Sequence, residues 1–145
     1  MQAKLLKTEL SNKVYDEVLK DIYVDEKLLD YQRERYQKAI DKFIELYGEQ
    51  DIEIYSAPGR SEVGGNHTDH QHGCVLAAAI NLDIIAVVSR KDEGIKILSD
   101  DYDIKKVDIN DLDKKESELG TSEGLVRGVC AKFKESNHHI GGFNA

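Results

Sequence analysis

A short polar stretch holds the residues best suited to chemistry. Residues 59–73 read GRSEVGGNHTDHQHG, and this stretch sets three histidines and one aspartate within six positions: His67, Asp69, His70 and His72. Imidazole and carboxylate groups can ligate a metal ion, bind a polar substrate or lie in solvent. A β-rich segment precedes the stretch and an apolar run follows it, so we expect the core to anchor both ends.

One interpretation is a transition-metal site formed by those four residues, since imidazole and carboxylate suit zinc or iron. Metallo-β-lactamase-fold hydrolases carry H-x-H-x-D-H at such a junction, but Gly65 stands here where that pattern has its first histidine. Further ligands would have to come from beyond His72, where only His138 and His139 remain. The ligand set is incomplete, so we expect no metal, and a metal-dependent hydrolase stays the weaker alternative.

Two other interpretations of the stretch do not involve a metal. It can be a solvent-exposed loop, for which Gly, Asn, Asp and His are ordinary residues. It can also be a substrate loop, in which Asn66, His67 and Asp69 offer hydrogen-bond donors and acceptors to the hydroxyls of a polyol. Arg60 would then supply a fixed positive charge for a phosphate or carboxylate. The residues by themselves leave these interpretations open.

The composition of the whole chain limits the class of partner. Its 145 residues carry a formal net charge of −8 and are 40% hydrophobic, which suits one folded domain with a core. The acidic balance argues against nucleic acid and against an anionic membrane surface. The first residues lack the apolar centre of a signal peptide, and no apolar run reaches about 18 residues, so we expect a cytoplasmic protein. Cys74 and Cys130 are predicted to be reduced, mostly buried thiols.

Two amphipathic helices are predicted before the polar stretch. One spans residues 25–48, with Asp25 as its cap and Gly48 as its end. Its apolar face holds Leu29, Tyr36, Ile40, Phe43 and Tyr47. Residues 12–23 predict a shorter helix with an apolar face spaced four residues apart, at Val14, Val18 and Ile22.

Strands and one more helix are predicted for the rest of the chain. Residues 51–57 indicate a strand that stops at Pro58-Gly59, and the apolar run 74–82 indicates a buried strand or a helical turn. Residues 83–100 favour a hairpin of two strands, and residues 102–109 a further strand. Thr121 or Ser122 is expected to cap a helix whose apolar face holds Leu125, Val126, Val129, Cys130 and Phe133. A last strand is expected around Ile140 and Phe143.

The polar stretch and its flanks, SAPGRSEVGGNHTDHQHGCVLAAAINLD, resemble the N-terminal signature of galactokinases, which are members of the GHMP kinases. The usual form of that signature is G-R-x-N-L-I-G-E-H-T-D-Y, followed shortly by Gly and V-L-P-A-A-I. The shared positions are Gly59, Arg60, Gly65, His67, Thr68, Asp69, Gly73, Val75, Leu76, Ala78, Ala79 and Ile80. The resemblance continues more loosely over most of the chain, including GLVRGVCAKFK and the closing IGGFNA.

The resemblance implies an α+β fold, the N-terminal lobe of a GHMP kinase with packed helices and a mixed or antiparallel sheet that is incomplete at its C-terminus. Residues 1–48 would form an N-terminal helical segment and residues 49–145 the truncated lobe. The implied reaction is ATP-dependent phosphorylation of galactose or a related hexose at the anomeric hydroxyl. ATP and Mg would be the cofactors of the complete enzyme, and the partner would be a small sugar.

The resemblance also implies roles for single residues. Arg60 would lie beside the catalytic base and stabilise the negative charge that develops on the transferring phosphoryl group. His67, Asp69 and the residue at position 66 would bind sugar hydroxyls. This sequence departs from the pattern at that position, because Asn66 replaces a glutamate and loses the strength of a charge-assisted hydrogen bond. Other departures are Glu62, Val63 and Gly64 in place of Asn-Leu-Ile and His70 in place of Tyr, so the identity of the sugar stays open.

In the family, a Gly- and Ser-rich phosphate loop and an aspartate base would follow the closing GGFNA. Phosphoryl transfer needs such a phosphate cradle, so we expect these 145 residues to be an N-terminal portion that is inactive alone. The alternative is a non-catalytic sugar-binding or regulatory module.

Overall fold

The computed structural model describes residues 1–65, 71–99 and 102–145. In chain order, the elements are α1 (Ala3–Ser11), α2 (Asp16–Tyr23), α3 (Leu29–Tyr47), β1 (Glu53–Gly64), β2 (Leu76–Lys91), β3 (Ile95–Ser99), β4 (Tyr102–Val107), α4 (Ser122–Glu135) and β5 (Gly142–Asn144). The strands form one sheet in the order β1-β2-β5-β3-β4, in which β5 runs antiparallel to β2 and parallel to β3. The expected α+β fold with a mixed sheet is confirmed.

Helix α3 forms as the sequence predicts. Asp25 accepts a hydrogen bond from the Lys27 backbone N–H at 2.9 Å and caps the short 3-10 turn that leads into the helix. Gly48 ends the helix with a φ of 78°, a left-handed conformation that favours glycine. The predicted apolar face is confirmed, because Tyr36, Ile40 and Phe43 are buried while the other two members of that face are half-buried.

The apolar face predicted for the shorter helix is wrong. Val14 lies before α2, and Val18 and Ile22 are 53% and 40% exposed. The buried residues are instead Leu19 and Tyr23, which are also four apart and pack against α3 and the sheet. Helical spacing alone gave two candidate faces for this segment, and its neighbours select one. Helix α1, for which the sequence made no prediction, contributes the buried Ala3 and Leu10 to the same core.

Strands β1 and β2 form a long antiparallel pair, which we call the ribbon (residues 53–64 and 76–91). The predicted end of β1 at Pro58-Gly59 is wrong, since the strand continues to Gly64. A proline is tolerated there because β1 is an edge strand of the sheet, where not every N–H needs a partner. The apolar run at residues 76–82 is a strand, which was one of its two predicted structures, but it is exposed and not buried as predicted.

The predicted hairpin of residues 83–100 is also wrong, although both of its strands exist. Strand β5 from the end of the chain lies between β2 and β3, and Phe143 donates its backbone N–H to the Gly94 carbonyl at 3.1 Å. Gly142 makes this insertion possible, because a Cβ there would lie 2.5 Å from the Gly94 carbonyl oxygen. The strands predicted at residues 102–109 and near Phe143 are confirmed as β4 and β5.

Two hydrophobic clusters stabilise the described structure. The first joins α1–α3 to the base of the ribbon and holds Ala3, Leu10, Leu19, Tyr23, Tyr36, Ile40, Phe43, Ile52 and Val87. The second holds Ile95, Val107 and Cys130, where α4 packs on the opposite part of the sheet. Within the described residues, no helix combines the length and the apolar character needed to cross a membrane.

Helix α4 begins as predicted but its face is partly wrong. Thr121 caps it by accepting a hydrogen bond from the Gly124 backbone N–H at 3.1 Å. Cys130 is buried and Val126 half-buried, but the other three predicted core residues are exposed: Leu125, Val129 and Phe133. Arg127 occupies the buried side instead, paired with Glu118 at 2.7 Å. Neither Cys74 nor Cys130 is in a disulfide, as predicted, but the burial predicted for Cys74 is wrong.

Candidate functional site

The second part of the polar stretch identified in the sequence connects the two strands of the ribbon. We call residues 65–75, which lie between β1 and β2, the polar connection. Gly64 pairs with Leu76, so the chain leaves and re-enters the ribbon at neighbouring positions. Gly65 has a φ of 103°, and a Cβ there would lie 2.5 Å from the Cys74 carbonyl oxygen and 2.7 Å from the Val75 Cα. Only glycine fits this close approach. The connection is therefore anchored at both ends, but by strand pairing and not by the core as expected.

Arg60 lies on β1, opposite Ala79, and its side chain is exposed. It follows directly on the position where the pairing of the two strands changes register. The other three predicted site residues, Asn66, His67 and Asp69, lie outside the described residues, so their roles stay predictions. The structure therefore places Arg60 on the strand that leads into the connection.

Three of the four residues in the metal interpretation also lie outside the described residues: His67, Asp69 and His70. The fourth, His72, is exposed at the start of the return to β2. Within the described ranges, no group of three His, Cys, Asp or Glu side chains could hold a metal ion.

The structure shows a buried polar network in the ribbon that the sequence analysis missed. The Asp83 side chain is 3% exposed. One of its carboxylate oxygens accepts hydrogen bonds from the Tyr23 hydroxyl at 2.7 Å and the Ser56 hydroxyl at 2.6 Å, and the other accepts one from Arg35 Nη1 at 2.5 Å. Since Tyr23 gives its proton to Asp83, the Tyr36 hydroxyl donates to Tyr23 at 2.9 Å. The network thus ties α2, α3, β1 and β2 together at one carboxylate.

Arg35 also binds the backbone of β2. Its Nη2 donates a hydrogen bond to the Asp83 carbonyl at 2.8 Å. One guanidinium group therefore satisfies both the side chain and the backbone of Asp83, as the planar fork of arginine allows.

The charges of this network are fixed at neutral pH. Burial alone would raise the pKa of Asp83, but hydrogen bonds from Ser56, Arg35 and Tyr23 outweigh it and hold that pKa below its ordinary value. Burial, together with hydrogen bonds to Tyr36 and Asp83, raises the pKa of Tyr23 well above its ordinary value. Asp83 is therefore ionised and Tyr23 neutral near pH 7, so the network holds geometry and does not exchange protons.

One feature of the sequence could have pointed to the network. Asp83 is the only charged residue in the run CVLAAAINLDIIAVVS, residues 74–89. A carboxylate within an apolar strand is expected to have a cationic or hydrogen-bonding partner, because an unpaired charge is costly to bury. The identity of the partners could not be deduced, since Arg35 is 48 residues away in the chain.

Two open grooves lie on the described surface. One, of about 560 Å³, runs beside the network between the end of α2 and the ribbon, and Val24, Pro58 and Asn81 are among its lining residues. The other, of about 980 Å³, lies at the start of α4. Its charged residue Arg127 is already engaged by Glu118 and by the Asp111 carbonyl. Neither groove includes Arg60 among its lining residues.

The long two-stranded ribbon with helices packed at its base matches the N-terminal region of a solved sugar kinase. Residues 41–90 match the model of the galactokinase galactose-binding signature. The match begins in the second half of α3 and covers all of β1, the polar connection and all but the last residue of β2.

Individual galactokinases match over a longer part of the chain. Those of Streptomyces coelicolor and Enterococcus faecalis are each 32% identical to it over 103 residues, which is 70% of this chain and 27% of each galactokinase. The crystal structure of Lactococcus lactis galactokinase complexed with galactose matches with a TM-score of 0.61 and 28% identity, over 72% of this chain and 28% of that one. The chain is thus homologous to the N-terminal portion of galactokinases and spans about 27% of their length.

Proposed function

We propose that the chain is the sugar-binding N-terminal portion of a galactokinase-like kinase, which phosphorylates galactose or a related hexose at its anomeric hydroxyl. The observation that carries the proposal is the position of the galactose-binding signature, which coincides with the ribbon and its polar connection. The structural relative is a galactokinase in complex with galactose, which supports the same ligand class.

In this proposal, His67, Asp69 and Asn66 bind sugar hydroxyls. A carboxylate accepts hydrogen bonds only, whereas an amide and an imidazole can both donate and accept, so together they can distinguish the positions of hydroxyls on a ring. Asn66 gives up one charge-assisted bond relative to a glutamate, which favours weaker binding of the sugar. The closed ends of the connection at Gly65 support this role, because anchored polar loops lose less freedom when they bind a ligand.

Arg60 is proposed as the catalytic residue. Its exposed guanidinium group lies on the strand that enters the connection, close in sequence to the sugar-binding residues. A permanent positive charge there would stabilise the negative charge that develops on the transferring phosphoryl group. The side chain would act by electrostatics and would not transfer a proton, because arginine stays protonated in proteins.

ATP would supply the phosphoryl group in the proposed reaction and Mg would neutralise part of its charge, but the described residues do not fit them. At the start of α4, the backbone N–H of Gly124 is already bound to the Thr121 hydroxyl. Glu123 lies in the same turn and would repel a phosphate. We therefore assign nucleotide binding to parts of the complete kinase outside these residues.

Calorimetric titration of the chain with D-galactose, D-glucose and D-mannose tests the proposal. We expect saturable binding that prefers galactose or a close relative, and we expect His67→Ala and Asp69→Asn to abolish it. His139→Ala is the matched control, since His139 is an exposed histidine far from the ribbon in sequence. If no hexose binds, or if the control loses as much affinity as the two variants, the proposed role of the connection is wrong.

A further inference from the structure

The ribbon contains a bulge directly before Arg60. Pro58 pairs with Asp83, but the next pair is Arg60 with Ala79, so residues 80–82 of β2 lie opposite Gly59 alone. Gly59 is packed closely against the bulge, because a Cβ there would lie 3.2 Å from the Leu82 carbonyl oxygen. Bulges bend a strand and change the direction of the side chains that follow. The direction of Arg60 therefore depends on the geometry of this bulge.

The contacts of Asp83 fix the bulge on one side. Its carboxylate holds Ser56 on β1, Tyr23 on α2 and Arg35 on α3, each within 2.7 Å. Its carbonyl accepts a hydrogen bond from the same arginine. The last regular pair of the ribbon before the bulge is thus attached to two helices.

Beyond the bulge, no described residue of the ribbon belongs to either hydrophobic cluster. Residues 71–82 are all exposed, and so are residues 59–65 apart from the half-buried Glu62. We call residues 53–58 and 83–91 the lower ribbon, and residues 59–64 and 76–82 the upper ribbon. The first hydrophobic cluster reaches only the lower ribbon, through Ile54, Ile85 and Val87. Asp83 therefore lies at the boundary between the part of the ribbon that the helices hold and the part that carries Arg60 and the polar connection.

We propose that Asp83 is a positioning residue for the sugar site: it fixes the register of the ribbon at the bulge and thereby orients Arg60 and the strand ends at Gly64 and Leu76. Asp83 does not contact substrate in this account, since its carboxylate is buried and fully engaged. Its part in sugar binding rests on the proposed function, whereas its effect on the ribbon is independent of any ligand.

Hydrogen–deuterium exchange of the whole chain tests the structural half of the proposal. Asp83→Asn keeps the size of the side chain and removes its charge. Because hydrogen bonds to an ion are lost, we expect exchange in peptides covering residues 57–65 and 71–82 to become at least roughly tenfold faster, while α4 exchanges as before. Val107→Ala is the control, because Val107 is fully buried in the second cluster and distant from the bulge in the sheet order. Val107→Ala should make exchange in α4 faster, so that the ratio of the ribbon exchange rate to the α4 exchange rate falls.

A residue that only adds to global stability would accelerate all of these peptides together, so that pattern overturns the proposal. Wild-type exchange of the ribbon in Asp83→Asn also overturns it. If Asp83→Asn does not fold, Tyr23→Phe removes a single hydroxyl from the same carboxylate and gives the same comparison with a smaller change.

Galactose titration tests the functional half. We expect Asp83→Asn to weaken galactose affinity by roughly tenfold, in line with the loss of a charged hydrogen bond, whereas Val107→Ala leaves the affinity unchanged. Unchanged affinity in Asp83→Asn would remove its role in the sugar site. If the wild-type chain binds no galactose, the proposed function fails, but the exchange experiment still decides whether Asp83 holds the ribbon.

Discussion

The lower and upper halves of the ribbon have similar apolar strand residues but opposite environments. In the lower half, Val87 is 6% exposed, whereas Leu82 and Leu76 in the upper half are 70% and 65% exposed. The difference comes from the neighbours, because α1–α3 pack only on the lower half. The lower ribbon is therefore part of the stable core, whereas the upper ribbon carries the proposed chemistry, and Asp83 lies at the boundary between them.

The largest expected effect is the loss of stability caused by a substitution in the core. A comparable substitution in the upper ribbon should cost much less. Ile40 is fully buried against the lower ribbon, so Ile40→Ala should lower the free energy of unfolding by about 4 kcal/mol through lost packing and a residual cavity. Leu76→Ala is the control in the upper ribbon, since Leu76 is 65% exposed and its truncation should cost less than about 1 kcal/mol. Urea denaturation measures both, and equal losses would mean that the two halves of the ribbon are not distinct.

The next effect concerns the boundary itself. Asp83→Asn should lower the free energy of unfolding at pH 7 by about 3 kcal/mol, because it leaves the half-buried Arg35 without its charged partner. The folded-state pKa of Asp83 lies below its ordinary value of 3.8, so the wild-type advantage is complete above pH 3.8. It should shrink as the pH falls from 3.8 through the lower folded-state pKa. Denaturation of both proteins between pH 7 and pH 2 measures this, and a constant difference would contradict the assigned charges.

A smaller effect is expected where the ribbon meets the polar connection. Gly65→Ala should cost about 2 kcal/mol, because its φ is positive and its Cβ would clash with the Cys74 carbonyl. Gly64→Ala is the control one residue away, since nothing lies within 4 Å of its Cβ position. Thermal unfolding and galactose titration of the two variants should differ. If they behave alike, the two ends of the connection are not held against each other at Gly65.

The smallest effect lies outside the ribbon and gives a reference for it. Thr121→Ala removes the N-cap of α4 and should lower the free energy of unfolding by about 1 kcal/mol, whereas Ser122→Ala at the neighbouring position should cost much less. Neither should alter galactose affinity, because α4 packs on the other side of the sheet. A loss of affinity in Thr121→Ala would show that the two regions of the molecule are coupled.

Local sequence patterns predicted those elements whose evidence is local. Helix α3 has a continuous apolar face and a glycine end that formed as expected, whereas Asp25 caps the 3-10 turn before the helix. The turn residues before Ile95 also predicted two strands correctly, but not that β5 from the chain end would separate them. Such long-range pairing leaves no trace in the segment it interrupts.

The same limit applies to the candidate site. The polar connection and Arg60 could be found from the sequence because the relevant residues are contiguous. Asp83 could be suspected as a lone charge in an apolar strand, but its partners lie on α2, α3 and β1. Burial was misjudged for Val18 and Cys74 because each has apolar neighbours in sequence without being covered in space.

The most direct test of the account is a galactose titration of the isotopically labelled chain, followed by amide NMR. We expect saturable changes in amide chemical shift that are concentrated at residues 59–80, which include Arg60 and the whole polar connection. The shifts of α4 and the second cluster should stay unchanged. Shifts centred instead on the groove at the start of α4, or no shifts at all, would contradict the claim that the upper ribbon binds the sugar.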